Sequence, residues 1–282
     1  MSDRNFKQML EAQWSRDNFV CVGLDSEFSK IPESARLGGN ECAVHEGNTI
    51  VAFNRAIVEA TKDLVCAYKP NAAFYEAHGA EGITALCRTI ADIRAIAPDV
   101  PVILDAKRAD IGNTNAGYVN AAFDYLRADA ITVHPYLGAE ALQPFLARAE
   151  KGVIVLCRTS NPGAAEFQDL SVNGEPLYRF VARRVADLWN ENGNCALVVG
   201  ATYPDELREV RGLVGDMPIL IPGIGAQGGD VEKTVSAGKD GRGRGMIVNS
   251  SRGIIFASKG MDFAEAARRE TEKLRDLINQ YR

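Results

Sequence analysis

The sequence predicts the α/β class, as a single (β/α)8 barrel with a helix ahead of the first strand and a long insertion after it. Three observations carry this. Eight short apolar runs recur along the 282 residues, and near-continuous hydrophobicity over five or six residues suits strands buried on both faces of a parallel sheet. Between the runs lie segments with apolar residues at helical spacing. Finally, 46% hydrophobic content over this length supports one barrel-sized core, so residues 1–282 read as one domain. An open doubly wound sheet is the alternative that the same alternation allows.

The elements follow in order. "MSDRNFKQMLEAQW" has mixed charge and no apolar stretch of the kind a secretory signal needs. "FVCVGLD" from Phe19 is the first strand, and residues 26–47 separate it from a helix with Ile50, Phe53 and Ile57 on one face. "LVCAYKP" from Leu64 and "VPVILDAK" from Val100 are the second and third strands. A helix bearing Val119, Ala122, Phe123 and Leu126 leads to "DAITVHP" from Asp129. "GVIVLCR" from Gly152 is the fifth, followed by a long loop, 158–174, and a helix with Leu177, Val181, Val185 and Leu188 in a stripe. "CALVVGAT" from Cys195, "MPILIPGIG" from Met217 and "GMIVNSS" from Gly245 complete the eight. A last helix carries Phe263, Ala267, Leu274, Leu277 and Ile278. Both long interruptions follow the C-terminal end of a strand, the face on which barrel enzymes build their sites.

Composition excludes several functions. The net charge is -5, and the nearest thing to a basic cluster, "GRGRG" at 241–245, has two arginines, so nucleic-acid binding is not expected. Six cysteines show no Cys-x-x-Cys spacing, and the three histidines (His45, His78, His134) are scattered, so no metal site is expected. No apolar run approaches the length of a membrane span. The expectation is a soluble cytoplasmic protein with reduced thiols.

The third strand ends in "VILDAKRADIGNT", where Asp105, Lys107, Arg108 and Asp110 crowd together. Residues two apart in a strand point the same way, so Asp105 and Lys107 are expected to project together. An ion pair with a helix cap is the bland reading. Against it, "YKPN" places Lys69 at the end of the second strand and "GLD" places Asp25 at the end of the first. Burying so many ions carries a penalty of several kcal/mol each, so such clusters more often mark catalysis. A lysine between carboxylates stays protonated. A carboxylate held against a substrate anion repels it until the anion leaves as a neutral molecule. Protonation of the resulting carbanion by the lysine completes a decarboxylation with neither metal nor cofactor.

The seventh strand runs into "PGIGAQGGD", whose Gly223, Gly225 and Gly228 match a dinucleotide fingerprint only superficially. That fingerprint needs an acidic residue after the next strand, and "GMIVNSS" offers none. A phosphate site at the last two strands fits better, with Gln227 and Arg252 as side-chain donors.

Taken together, these residues resemble the orotidine 5′-monophosphate decarboxylase family, in its longer bacterial form (type 2). "LDAKRADIGNT" resembles that family's Asp-x-Lys-x-x-Asp signature, and "GLD", "YKPN", "TVHPYLG", "RTSNPG", "PGIGAQGGD" and "NSSRG" fall in its order, from Phe19 to Arg252. The resemblance implies a TIM barrel and a homodimer with shared sites. It implies Lys107 as proton donor to C6, with Lys69, Asp105 and Asp110 completing the charged network, and Asp110 and Thr114 reaching into the neighbouring subunit. It implies Asp25 on the ribose, Ser160 (or the adjacent Thr159) on the pyrimidine edge, Ile111 and Pro222 lining the pocket, and Gln227 and Arg252 on the 5′-phosphate. Two rivals remain. One is a 3-keto-sugar-phosphate decarboxylase or hexulose-phosphate synthase, which uses Mg²⁺ with an acidic ligand on the second strand, where this chain has Lys69. The other is a catalytically silent nucleotide-binding barrel.

Overall fold

Eight parallel strands form a barrel in the computed structural model, which describes residues 4–37, 46–224 and 230–282. They are β1 (Val20–Leu24), β2 (Val65–Pro70), β3 (Ile103–Arg108), β4 (Ala130–Val133) and β5 (Gly152–Arg158), then, after a short hairpin of β6 (Ser171–Val172) and β7 (Glu175–Pro176), β8 (Cys195–Val199), β9 (Ile219–Pro222) and β10 (Met246–Ser250). The ladder order is β2-β1-β10-β9-β8-β5-β4-β3. Isolated bridges, Tyr68 to Val102 and Asn71 to Asp105, then join the two end strands. All eight predicted strands are present because each apolar run is buried on both sides; every residue of β1, β2, β4, β8 and β10 is buried.

The helix Glu46–Thr61 buries Ile50, Phe53 and Ile57 as predicted. Of the stripe predicted for Leu177, Val181, Val185 and Leu188, Val185 is buried and Val181 packs on the core, but the two ends are corrected. The helix Leu177–Arg184 buries Tyr178 and Ala182, and Leu188 is 53% exposed. Tyr178 turns inward and donates its hydroxyl to Glu209 at 2.7 Å. The helix then widens into a π segment over Val185–Trp189, where the 3.6-residue spacing no longer holds. The 158–174 loop contains a 3-10 turn (Pro162–Ala164), a helical turn (Ala165–Gln168) and the first hairpin strand. In the insertion after β1, two 3-10 turns (Phe28–Lys30, Glu33–Ala35) precede residues 38–45, which lie outside the described set.

The N-terminal end of the barrel is plugged. The helix Phe6–Trp14 buries Phe6, Leu10 and Trp14 beneath the strand starts. Trp14 Nε1 donates to the Met246 carbonyl at 2.9 Å. Phe6 lies so close to Gly152 that a Cβ there would meet its ring at 2.3 Å. Arg4 adds a two-point contact to the fully buried Asp129, at 2.9 and 2.6 Å. The C-terminal end is therefore the open one. No helix among the described residues is long and apolar enough to cross a membrane.

Candidate active site

At that open end the strand termini bring four charges into one network. Lys69 Nζ lies 2.9 Å from Asp105 Oδ2 and 3.8 Å from Asp25 Oδ1. Lys107 Nζ donates to Asp105 Oδ1 at 2.6 Å. Lys69 is 3% exposed and Asp105 9%, so both ions are taken from water at a cost that only close, hydrogen-bonded pairing can offset. Burial alone would raise the Asp105 carboxyl pKa, but Lys69 and Lys107 hold it far below the usual carboxylate range. Burial alone would lower Lys69, but Asp105 and Asp25 push it above the usual lysine value. The Lys69–Asp105 pair is thus held in its charged form.

Asp105 and Lys107 do project together, but not by regular alternation. The β3–β4 register breaks between Leu104 and Arg108, and Lys107 adopts φ +48°, the left-handed region that side-chain-bearing residues avoid. The Lys107 side chain emerges half exposed at the mouth, while Asp105 stays below it.

These groups face a cavity of about 420 Å³ whose lining includes Asp25, Lys69, Asp105 and Lys107 together with Pro222 and Arg252. Arg252 begins the short helix Arg252–Ile255 and forms no ion pair among the described residues, which leaves its guanidinium available to an anion. Gln227 lies outside the described residues. Ser160 and Thr159 both line the cavity. Thr159 is held within its own loop: its N–H donates to Gln168 Oε1 at 2.8 Å and its hydroxyl to Asn161 Oδ1 at 2.6 Å. Ser160 packs on Gly200, where a Cβ would meet the serine Cβ at 2.7 Å. The base of this loop is tied by Arg158, buried on β5, to Asp169 at 2.9 Å.

Asp110, Ile111 and Thr114 stand apart. None lines the cavity of its own chain. Asp110 Oδ1 accepts the Ile111 N–H at 2.7 Å, and Asn115, fully buried, clamps the turn by accepting the Asp110 N–H at 2.8 Å. Ile111 is 59% exposed.

Sequence reasoning missed Thr132, Asn71, Gln168 and Asn249, all of which line the cavity. Asn249 Oδ1 and Asp25 Oδ1 are buried acceptors with no hydrogen-bond partner among the described residues, an arrangement suited to ligand hydroxyl donors. For Thr132 and Asn249 the available signal was a polar residue within an otherwise apolar strand. Among the described residues no group of three or more His, Cys, Asp or Glu is placed to hold a metal ion.

Fold and site together define a (β/α)8-barrel enzyme with side-chain charges gathered at its strand ends. Residues 19–269 match the Orotidine 5'-phosphate decarboxylase / HUMPS family, and the chain belongs to it. It is 52% identical over 278 residues to the orotidine 5'-phosphate decarboxylase of Ralstonia pickettii, covering 98% of this chain and 99% of that one. It is likewise 52% identical over 279 residues to the orotidine 5'-phosphate decarboxylase of Azoarcus sp., covering 99% and 100%. Among solved structures, the OMP decarboxylase of Leishmania donovani aligns with a TM-score of 0.81 at 37% identity, over 98% of this chain and 99% of that one. The UMP synthase of the same organism aligns with a TM-score of 0.86 at 40% identity, over 99% of this chain and 56% of that one.

Proposed function

We infer that this chain is an orotidine 5′-monophosphate decarboxylase, forming uridine 5′-monophosphate and CO2 in de novo pyrimidine biosynthesis. The observation that carries this is the Lys69–Asp105–Lys107 network at the cavity mouth, its Lys69–Asp105 pair held in the charged form, with Arg252 lining the same cavity. The substrate carboxylate sits against the Asp105 anion, and that repulsion disappears when the C6–carboxylate bond breaks and neutral CO2 departs. The electron pair stays on C6, where the flanking ammonium groups stabilise it. Lys107 gives its proton to C6, and its half-exposed side chain regains one from solvent. No step requires a metal or an organic cofactor. Gripping the 5′-phosphate, away from the reacting C6, supplies binding energy that can be directed to the transition state.

In this reading Asp25 takes a ribose hydroxyl, Ser160 reads the pyrimidine edge while Thr159 braces the loop, Pro222 lines the pocket, and Gln227 and Arg252 hold the phosphate. Asp110, Ile111 and Thr114 serve the site of a second subunit. Support for a homodimer is that these three do not line their own cavity, and that exposed apolar residues (Ile111, Tyr136, Leu137, Phe167) lie on loops at the same end. Residues 1–282 act as one domain, because the first and last helices both pack on the barrel. A cytoplasmic location agrees with the cysteines among the described residues, which are free and mostly buried.

The Mg²⁺-dependent hexulose-phosphate chemistry fits less well. The Lys69 ammonium already stands between the two carboxylates that a cation would need. The test is turnover of orotidine 5′-monophosphate in D2O, followed by NMR. Uridine 5′-monophosphate carrying one deuteron at C6 is expected, with Lys107→Ala lowering the rate by at least about 10³-fold. Unchanged substrate with the wild-type protein would sink the reading.

A further inference from the structure

Thr132, the third residue of β4, is 1% exposed and lies directly beneath the charged network. Its hydroxyl oxygen accepts the Ala106 N–H at 3.0 Å and the Lys107 N–H at 2.9 Å, and it donates to Asp105 Oδ1 at 2.9 Å. A hydroxyl has one proton and two lone pairs, so its capacity is used up. With both lone pairs on backbone donors, its proton is directed to the carboxylate. These bonds fall where the β3–β4 ladder is interrupted, between Leu104 and Arg108, and where Lys107 holds its left-handed φ of +48°. A strained backbone of this kind persists only where its surroundings over-determine it. Here a side chain from the neighbouring strand replaces the missing ladder partner.

We propose that Thr132 is a positioning residue for the decarboxylation: its single hydroxyl fixes the strained turn that presents Lys107 and, at the same time, the carboxylate orientation of Asp105. The inference rests on the decarboxylase reading above. Because the hydroxyl sets the relation between proton donor and repelling carboxylate, its loss should act on the chemical step more than on binding. A misplacement of about 1 Å in such a pair can cost on the order of 10²-fold in rate.

The experiment compares Thr132→Val, which keeps the shape and removes the hydroxyl, with Thr132→Ser, which keeps the hydroxyl. For each, kcat and KM for orotidine 5′-monophosphate, the dissociation constant of uridine 5′-monophosphate and the thermal midpoint are measured beside the wild type. Thr132→Val should lose about 10²-fold in kcat while KM and product affinity stay within about threefold, and Thr132→Ser should restore kcat to within about fivefold of wild type. If the valine variant does not fold, Thr132→Ala carries the same expectation. A valine or alanine variant with wild-type kcat overturns the proposal, as does a serine variant no better than valine, or a loss confined to KM and product binding. A wild-type protein inert toward orotidine 5′-monophosphate fails the decarboxylase reading itself and takes this inference with it.

Discussion

Lys69 Nζ and Asp105 Oδ2 meet at 2.9 Å across the seam where β2 and β3 close the barrel. Only the isolated bridges at Tyr68–Val102 and Asn71–Asp105 join those strands, so the ion pair stands where the ladder is sparsest. One contact thus serves two ends. It helps hold the cylinder shut, and it keeps a carboxylate ionised beside the cavity.

Removing one partner leaves a buried charge short of compensation. Lys69→Met is therefore expected to destabilise the fold by about 3–5 kcal/mol and to remove most activity, since Asp105 would keep only Lys107. Urea denaturation reads the first effect. A change below about 1 kcal/mol would show that the seam is held by other contacts.

The pH dependence of that difference follows from the two shifts. Asp105 is held low, against burial, by Lys69 and Lys107. Its contribution is complete above the ordinary carboxylate value of about 3.9 and fades as pH falls toward the lowered one. Lys69 is held high, against burial, by Asp105 and Asp25. Its contribution is complete below about 10.4 and fades only as pH rises through the raised value. The stability gap between wild type and Lys69→Met should accordingly be flat from about pH 5 to 9 and shrink below about pH 4. A step inside that window would mean the pair titrates there and is not locked.

Arg252 should matter through the phosphate alone. Its guanidinium makes no ion pair among the described residues, so Arg252→Ala should leave the thermal midpoint unchanged. In kcat/KM it should cost about 10- to 100-fold, the range of a charged hydrogen bond. An unchanged kcat/KM would place the phosphate elsewhere.

Shared sites predict complementation. When the inactive variants Lys107→Ala and Asp110→Ala are mixed and allowed to exchange subunits, each mixed dimer regains one intact site. Random exchange should therefore restore about one quarter of wild-type activity. No recovery after verified exchange would mean that each chain supplies its own Asp110.

The barrel was legible because strands buried on both faces must be apolar almost throughout, and the charges of Asp25, Lys69 and Asp105 stood out at their ends. The left-handed backbone of Lys107 was not legible, since alternation assumes a regular strand, whereas here the register breaks at Leu104–Arg108 beside a neighbour on β4. That neighbour, Thr132, looked like any β-branched strand residue; only the fold shows its hydroxyl meeting Asp105. Leu188 misled because helical spacing does not survive a π segment. The pairing of Gln168 with Thr159 joins residues across a loop whose turns carry no strong periodic signal.

Side-chain charges alone are expected to perform the decarboxylation. The most direct test is the loss of orotidine 5′-monophosphate absorbance with purified protein stripped by EDTA. Rapid conversion is expected, at the same rate before and after chelation and with no gain on adding Mg²⁺. Activity that vanishes with EDTA and returns with Mg²⁺ would contradict it.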